Sequence, residues 1–182
     1  MTQQYWTEIC DEIDAGTRLS DHPFRYATLA TVGLEKVPRL RTIVVREFDP
    51  EQMRLTFFTD ARSKKMLHIK ENNKVSLLYY HPEKLLQLRI EGIAYREKDD
   101  ALLSAYWEGI REASRKDYTT EERPGAEIKG PDQVDYMQGS ENFAVVRIQP
   151  FRIEYLQLRR PNHIRVRFSR TEDSWSGDFL VP

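Results

Sequence analysis

The sequence predicts a mainly β (α+β) fold, in which an antiparallel sheet closes into a barrel with flanking helices. About eight β-type runs occur along the 182 residues. Short turns join several of these runs, and such turns connect antiparallel rather than parallel strands. The chain also lacks the strand–helix–strand alternation of a parallel sheet, and a large antiparallel sheet tends to close on itself. We expect a single domain over residues 1–182.

The first half begins with an amphipathic helix over Tyr5–Leu19. Its apolar residues Tyr5, Trp6, Ile9, Ile13 and Leu19 recur near the helical period, with acids between them. Gly92 predicts a bulge or tight bend in a long strand. Strands are predicted over residues 24–33, 39–48, 53–59, 74–80 and 85–97, the second and third forming a hairpin, and a short helix over 64–72 is capped by Asp60 or Ser63.

The second half opens with a helix over residues 101–113, whose N-terminus suits Asp99 and Asp100. A polar loop over 114–139 follows, with a short helix near Gln133–Met137. Loops of this length in compact domains are often functional. The remaining β-runs cover residues 142–150, 151–160, 163–170 and 174–182, with turns at Gln149-Pro150, Pro161-Asn162 and Thr171–Ser174.

Composition and charge exclude several classes of protein. The formal net charge of −1 gives no basic field for nucleic acid or a membrane surface. The acidic start does not resemble a signal peptide, and no apolar run approaches the ~20 residues that span a bilayer. The single cysteine, Cys10, fits a reducing compartment. We therefore expect a cytoplasmic protein without nucleic-acid or membrane partners.

The familiar catalytic and nucleotide-binding motifs are absent from the sequence. It contains no GxGxxG, no Walker-type glycine loop, no GxSxG and no CxxC. The four histidines are scattered without the spacing of a metal motif, so we expect surface or turn positions for them and no metal site. No catalytic acid, base or nucleophile stands out.

Cations and small polar residues bracket one hairpin and the helix after it. Arg41 and Arg46 lie in RTIVVR, five residues apart on one strand, and FFTDARSKK runs from the partner strand into the helix. Ser63, Lys64 and Lys65 open this helix, and free N–H groups at a helix start favour an anion such as phosphate. Each residue alone is typical of a solvated surface. Only the ordered combination indicates a site.

This combination resembles the FMN-binding pattern of the pyridoxamine 5'-phosphate oxidase-like split β-barrel family. That family carries an R-x-V-x-x-[KR] strand, a [FY]-[FY]-T strand end, an S-[RK]-K helix start, an E-N-[NP]-x-V-[SA]-L strand and a glutamine in the next strand. The present chain has RTIVVR, FFTDARSKK, ENNKVSLLYY and LQLRIEG in the same order. The likeness covers residues 24–96 well and continues weakly to the closing WSGDFLVP.

The resemblance implies a homodimer that binds FMN between its subunits and acts on a small-molecule substrate. Lys64 and Lys65 would bind the phosphate, and Gln87 would reach the flavin from the second subunit. The substrate side would involve Tyr106, Arg115 and Arg165. The full set of implied cofactor residues is Arg41, Thr42, Ile43, Val44, Arg46, Phe58, Thr59, Ser63, Lys64, Lys65, Gln87 and Arg167.

One segment departs from the enzyme that names the family. Its substrate-gripping R-x-H-D-R-F motif corresponds here to residues 163–168, HIRVRF, in which Arg167 and Phe168 match and His163, Arg165 and Val166 differ. Oxidation of B6 vitamers is therefore not implied, and an ordinary strand explains this segment equally well. An oxidoreductase, a non-catalytic flavin-binding or sensing protein, and a haem-binding split barrel all stay open as functions.

Overall fold

The computed structural model describes residues 1–172 and 174–182. None of the helices in these ranges is long and apolar enough to cross a membrane. The helices are α1 (Gln3–Arg18), α2 (Lys64–Glu71), α3 (Asp100–Gly109) and α4 (Glu112–Arg115); the strands are β1 (Tyr26–Val32), β2 (Pro38–Asp49), β3 (Arg54–Asp60), β4 (Lys74–His81), β5 (Leu86–Arg96), β6 (Phe143–Gln157), β7 (Ile164–Arg170) and β8 (Trp175–Phe179).

The eight strands form one antiparallel sheet in the order β3-β2-β1-β4-β5-β6-β7-β8. Strand β3 also pairs with the first part of β6, from Phe143 to Ile148, and this pairing closes six strands into a barrel. The last part of β6, from Arg152 to Gln157, leaves β3 and pairs with β7 instead. The predicted antiparallel split barrel with flanking helices is confirmed.

The long strand β6 corrects one predicted turn. We expected a turn at Gln149-Pro150, but the strand continues through both residues. Gly92 pairs with Pro150 while Glu91 pairs with Arg152, so Phe151 is an extra residue that forms a bulge. Proline is accommodated at such a bulge because its missing N–H is not needed there. The irregularity expected at Gly92 is confirmed, and a Cβ there would lie 2.8 Å from the Gln149 carbonyl oxygen.

Helix α1 covers one end of the barrel with the apolar face that the sequence predicted. Tyr5, Ile9 and Ile13 are buried in the main hydrophobic core. Leu19 does not belong to this face, because the helix ends before it and its side chain is exposed. Gly16 allows the helix to approach Phe24, since a Cβ at this position would lie 2.5 Å from the Phe24 carbonyl.

The connection between β5 and β6 is more broken than the sequence predicted. The helix expected over 101–113 ends at Gly109, and α4 begins separately at Glu112. Asp99 caps α3 as expected, accepting hydrogen bonds from the backbone of Ala101 and Leu102. The short helix expected near Gln133–Met137 is a 3-10 helix at Pro131–Gln133, which begins two residues earlier. The turn predicted over 171–174 includes residue 173, which lies outside the described residues.

Two histidines expected at the surface or in turns meet instead around a buried carboxylate. The Nε2 atoms of His22 and His81 lie 3.3 and 3.9 Å from Glu12 Oε2. Each Nδ1 accepts a backbone N–H, from Phe24 and Lys84 respectively, so a neutral ring carries its proton on Nε2, the atom nearer Glu12. The Lys84 ammonium pairs with the other carboxylate oxygen. This arrangement ties α1 to the end of β4.

Removing the Glu12 carboxylate should destabilise the fold. We expect Glu12→Ala to lower the free energy of unfolding by about 2 kcal/mol, because Lys84 and the two imidazoles lose the buried carboxylate that they surround. Urea denaturation measures the difference, and Glu83→Ala, an exposed acid in the neighbouring turn, is the control. Equal stability of the two variants would contradict this role for Glu12.

Candidate functional site

Two cations and three hydroxyls meet where β1, β2, β3 and α2 come together. Lys65 Nζ donates to Thr59 Oγ1 at 2.8 Å and to Ser63 Oγ at 3.3 Å. Arg41 Nη1 donates to Thr31 Oγ1 at 2.8 Å. We call these five residues, Arg41, Lys65, Thr31, Thr59 and Ser63, the cation cradle. Its members are separated by up to 34 positions in the sequence, and pairing of the strands brings them together.

The electrostatics of the cation cradle favour an anion. Burial lowers the pKa of Lys65, and the positive charge of Arg41 lowers it further, while Asp60 acts in the opposite direction. Burial also lowers the pKa of Arg41. Both cations are thus partly withdrawn from water, with like charge close by. A bound anion would relieve both penalties.

The start of α2 adds backbone donors to the cation cradle. Ser63 is the N-cap residue, yet its side chain makes no capping hydrogen bond to the helix. Its hydroxyl instead faces Lys65 and Thr59. The first N–H groups of a helix have no partner within the helix, and the helix dipole favours negative charge there. The cradle therefore combines cations, hydroxyls and a helix start, the donor set that phosphate prefers.

His68, which we expected at the surface or in a turn, is instead buried in α2 and touches the edge of the cradle. His68 Nδ1 lies 2.9 Å from Thr31 Oγ1, the hydroxyl that Arg41 also contacts. Burial lowers the pKa of His68, and the charges of Arg41 and Arg39 lower it further. The imidazole is therefore held neutral and can hydrogen-bond to Thr31 without adding charge.

A second concave site, the arginine cleft, lies between the barrel and α3. It has a volume of about 640 Å³. Within the described ranges, Arg25, Arg46 and Arg111 form no ion pair, whereas Arg18 is paired with Asp14. The cleft thus offers several uncompensated cations. Its lining comprises Arg18, Ser20, Arg25, Arg46, Glu47, Phe58, Ala105, Tyr106, Gly109, Ile110, Arg111, Ser114 and Tyr118.

The ion pair between Asp60 and Arg62 connects the end of β3 to the loop that follows the cleft residue Tyr118. Arg62 donates to the Thr120 and Glu121 carbonyls, each at 2.6 Å. The same guanidinium pairs with Asp60 at 2.7 Å, and only 2% of the Asp60 side chain is exposed. Asp60 and Arg62 lie between the cradle residues Thr59 and Ser63 in the sequence. The Asp60–Arg62 pair therefore joins the cation cradle to the loop after Tyr118.

The predicted cofactor residues of β2 and α2 fall into distinct environments. Ile43 is buried in the core, so only its backbone can meet a ligand, while Thr42 is exposed on the opposite face and Val44 is half-buried. Lys64 is exposed and stands outside the cradle that holds Lys65. Arg46 and Phe58 line the arginine cleft.

One predicted substrate residue is directed elsewhere. The Arg115 side chain donates to the Ile110 and Trp107 carbonyls and lies over the Trp107 ring. It therefore holds the end of α3 and is absent from the cleft lining. Arg111 and Ser114 occupy the cleft wall together with Tyr106, which was predicted. The break between α3 and α4 at Ile110 shifts the register of this segment, and sequence spacing did not reveal that break.

The other predicted residues lie on the outer face of β5, β6 and β7. Gln87 pairs with Leu156, which pairs with Arg165. Arg165 forms an ion pair with the buried Glu154 at 2.8 Å, and Arg167 pairs with Asp178 at 3.2 Å. Gln87, Arg165 and Arg167 thus share one face of the sheet. No contact joins this face to the cradle within the part of the chain that the structure describes.

Sequence reasoning missed Thr31, His68, Arg62 and Arg111. Thr31 and His68 lie outside every motif segment that we used. The strand pairing of Thr31 with Arg39 places it two positions from Arg41, a register that a hairpin prediction across the turn at 33–37 could have supplied. Arg62 was in the FFTDARSKK segment, but its reach to Thr120 depends on the path of a long loop.

Comparison with known proteins gives the family. The model of the pyridoxamine 5'-phosphate oxidase FMN-binding domain matches residues 3–96. A pyridoxine/pyridoxamine 5'-phosphate oxidase of Thermosynechococcus vestitus is 29% identical over 168 residues, which are 85% of this chain and 78% of that protein. A Caenorhabditis elegans relative is 31% identical over 88 residues, and the match spans only 38% of its length.

A solved structure agrees with this assignment at the level of the fold. A pyridoxamine 5'-phosphate oxidase-related, FMN-binding protein from Nostoc punctiforme superposes with a TM-score of 0.79 at 24% identity, covering 97% of this chain and 96% of that one. The family model spans more than half of the 182 residues. The chain belongs to the pyridoxamine 5'-phosphate oxidase FMN-binding domain family.

The neutral state of His68 gives a test of the cradle geometry. In flavin-free protein we expect its pKa below the ordinary value, and we expect Arg41→Met to raise it, because a neighbouring positive charge is removed. A pH titration followed by NMR measures this. Lys70→Met, an exposed cation on the same helix, should leave the pKa unchanged. An unchanged or lower pKa in Arg41→Met would separate Arg41 from His68 and contradict the geometry.

Proposed function

We propose that this chain is an FMN-binding flavoprotein that acts as an oxidoreductase on a small anionic molecule. The cation cradle is the observation that carries the proposal. Two partly buried cations with lowered pKa values stand beside three hydroxyls and a helix start. Membership in a family of FMN-binding domains supports the phosphate group of FMN as the anion that binds there.

The cradle residues would hold the phosphate of FMN. Lys65 and Arg41 would supply charge-assisted hydrogen bonds, while Thr59 and Ser63, which already contact Lys65, would orient its ammonium. The backbone of residues 41–46 and the Phe58 ring, on the strands beside the cradle, are our candidates for contact with the flavin ring. Arg165 and Tyr106 remain candidates for the substrate side.

FMN supplies hydride transfer at its N5 atom, so the protein needs no acid or base of its own for that step. The chain's residues would place the substrate. In the arginine cleft, Arg25, Arg46 and Arg111 would bind an anionic group, and Tyr118 with Phe58 would form an apolar wall. A non-catalytic flavin binder would use the same cradle. Assays of NAD(P)H oxidation and of pyridoxamine 5'-phosphate oxidation distinguish a reductase, an oxidase and a protein without turnover.

We propose further that the protein is a homodimer, with the flavin between subunits. The outer face of β2, β1 and β4 carries large exposed apolar side chains, among them Leu40, Tyr26 and Tyr80 at 66, 55 and 52% exposure. A patch of this kind is typical of a protein interface. The same face continues across the sheet to Gln87, and a second subunit could present its Gln87 and Arg167 to the cradle.

The two adjacent lysines provide a matched test of the phosphate site. We expect Lys65→Met to weaken FMN binding roughly 10- to 100-fold, because a charge-assisted hydrogen bond is worth about 1.5–3 kcal/mol. Lys64→Met, which removes the same charge one residue away at an exposed position, should change the affinity less than about 3-fold. Titration monitored by flavin fluorescence gives both values. Equal losses in the two variants would indicate general electrostatics rather than a cradle.

The exposed apolar face gives a test of the dimer. We expect Leu40→Glu to convert the protein to a monomer and to weaken FMN binding, because a buried unpaired charge disfavours the interface. Light scattering after size-exclusion chromatography measures the mass. Leu34→Glu, an exposed leucine in the turn before β2, should stay dimeric. A monomeric wild type that binds FMN tightly would contradict the shared site.

A further inference from the structure

One acidic residue, Glu47, lines the otherwise cationic arginine cleft. A carboxylate in such a place disfavours a ligand that carries only negative charge, since like charges at close range repel. Two questions decide its role. The first is whether the fold directs Glu47 into the cleft, and the second is whether a neighbouring arginine already neutralises it.

A β-bulge directs Glu47 into the cleft. Strands β2 and β3 pair Val45 with Phe57 and then Glu47 with Thr56, so Arg46 is an extra residue on β2. Successive residues of a regular strand point to opposite faces, and a bulge breaks that alternation. Arg46 and Glu47 consequently both line the cleft, although they are adjacent in the sequence. The bulge places a cation and a carboxylate side by side in the cleft lining.

Among the 181 residues described, Glu47 forms no ion pair with an arginine; Arg147, which lies near the Tyr106 hydroxyl, is paired with Glu97 at 2.9 Å. Its hydrogen-bond donor is Tyr106, whose hydroxyl lies 2.6 Å from Glu47 Oε2. Burial and the Glu47 carboxylate raise the pKa of Tyr106, so the phenol keeps its proton and donates it to Glu47. That hydroxyl proton is thus committed, and Tyr106 orients one carboxylate oxygen of Glu47, whose side chain is exposed in the cleft lining.

We infer that the arginine cleft selects an anion that also carries an ammonium group, with Glu47 as the specificity-determining acceptor. The inference rests on the proposed function and names the ligand class of the same site. Arginines of the cleft hold the anionic group, and Glu47 accepts a charge-assisted hydrogen bond from the ammonium. Tyr106 is a positioning residue that fixes the carboxylate. A ligand with a hydroxyl in place of the ammonium leaves the Glu47 charge unpaired.

Matched ligand pairs test this selection. Pyridoxamine 5'-phosphate and pyridoxine 5'-phosphate differ in an ammonium against a hydroxyl, and aspartate and succinate differ in an ammonium against hydrogen. Calorimetry on the FMN-saturated protein, without oxygen so that turnover does not consume the ligand, gives the affinity ratio in each pair. We expect the ammonium member to bind wild type at least about 10-fold more tightly in one pair, as a charged hydrogen bond provides.

Three variants separate specificity from general electrostatics. Glu47→Gln should bring that ratio to within about 2-fold while anions as a group bind no more weakly. Glu51→Gln, an exposed acid in the turn of the same hairpin, should keep the wild-type ratio. Arg46→Met should weaken both members of a pair alike, because it removes the anion's partner.

The outcomes distinguish this inference from the proposed function. Equal binding of both members in both pairs, or a ratio that survives in Glu47→Gln, overturns the role of Glu47 and leaves the anion cleft intact. Failure of every ligand to bind FMN-saturated wild type overturns the anion cleft and this inference together. Failure to bind FMN concerns the cation cradle alone.

Discussion

The placement of Arg41 beside Lys65 is the constraint on which the account of this molecule depends. Two positive charges, each partly removed from water, lie close together: burial lowers the pKa of both, and the charge of Arg41 lowers the pKa of Lys65 further. Carbonyl and hydroxyl oxygens of β1 and β3 accept hydrogen bonds from the two cations and so offset part of the cost of removing them from water. In the function that we propose, a bound anion would replace the repulsion between the two cations by attraction.

The barrel produces this arrangement through strand pairing rather than through a loop. Arg41 is held by β1, Lys65 by the end of β3, and β3 is fixed in turn by its pairing with β6. A site built on paired strands varies less in geometry than one on a mobile segment. The long loop contributes only a wall of the arginine cleft, and Arg62 ties that wall back to Asp60.

Two bulges shape the rest of the surface. The bulge at Phe151 lies between the part of β6 that pairs with β3 and closes the barrel and the part that pairs with β7. The bulge at Arg46 turns an alternating strand into a pair of neighbouring side chains that both face the ligand cleft. Each bulge adds one residue within a strand and so changes the direction of the neighbouring side chains. In the selection that we propose, ligand specificity would depend on the single extra residue of β2.

The sequence was most informative where the chain is locally regular. The hairpin over residues 39–59, the helix start at Ser63 and the helix cap at Asp99 follow from periodicity and from local side-chain chemistry. Prediction from the sequence failed where tertiary contacts override local signals. The sequence around Pro150 predicts a turn, but the pairing of Pro150 with Gly92 of β5 keeps it within a strand. His22 and His81 are 59 positions apart, and only the fold brings them to Glu12.

The same limit applies to the candidate site. The order of motifs along the chain predicted a phosphate-binding role for Lys64 and Lys65 equally, because two adjacent lysines at a helix start cannot be distinguished by residue type. Helical geometry separates them, since their side chains leave the axis about 100° apart, and only Lys65 reaches Thr59. Arg111 and Arg115 were likewise indistinguishable without the break between α3 and α4.

The most direct measurement compares FMN with riboflavin, which has the same ring and lacks the phosphate. If the cation cradle holds that phosphate, equilibrium dialysis should show FMN binding at least about 100-fold more tightly, since several charge-assisted hydrogen bonds are lost with riboflavin. Comparable affinities for the two flavins would mean that Arg41 and Lys65 do not grip a phosphate, and the account of this site would be wrong.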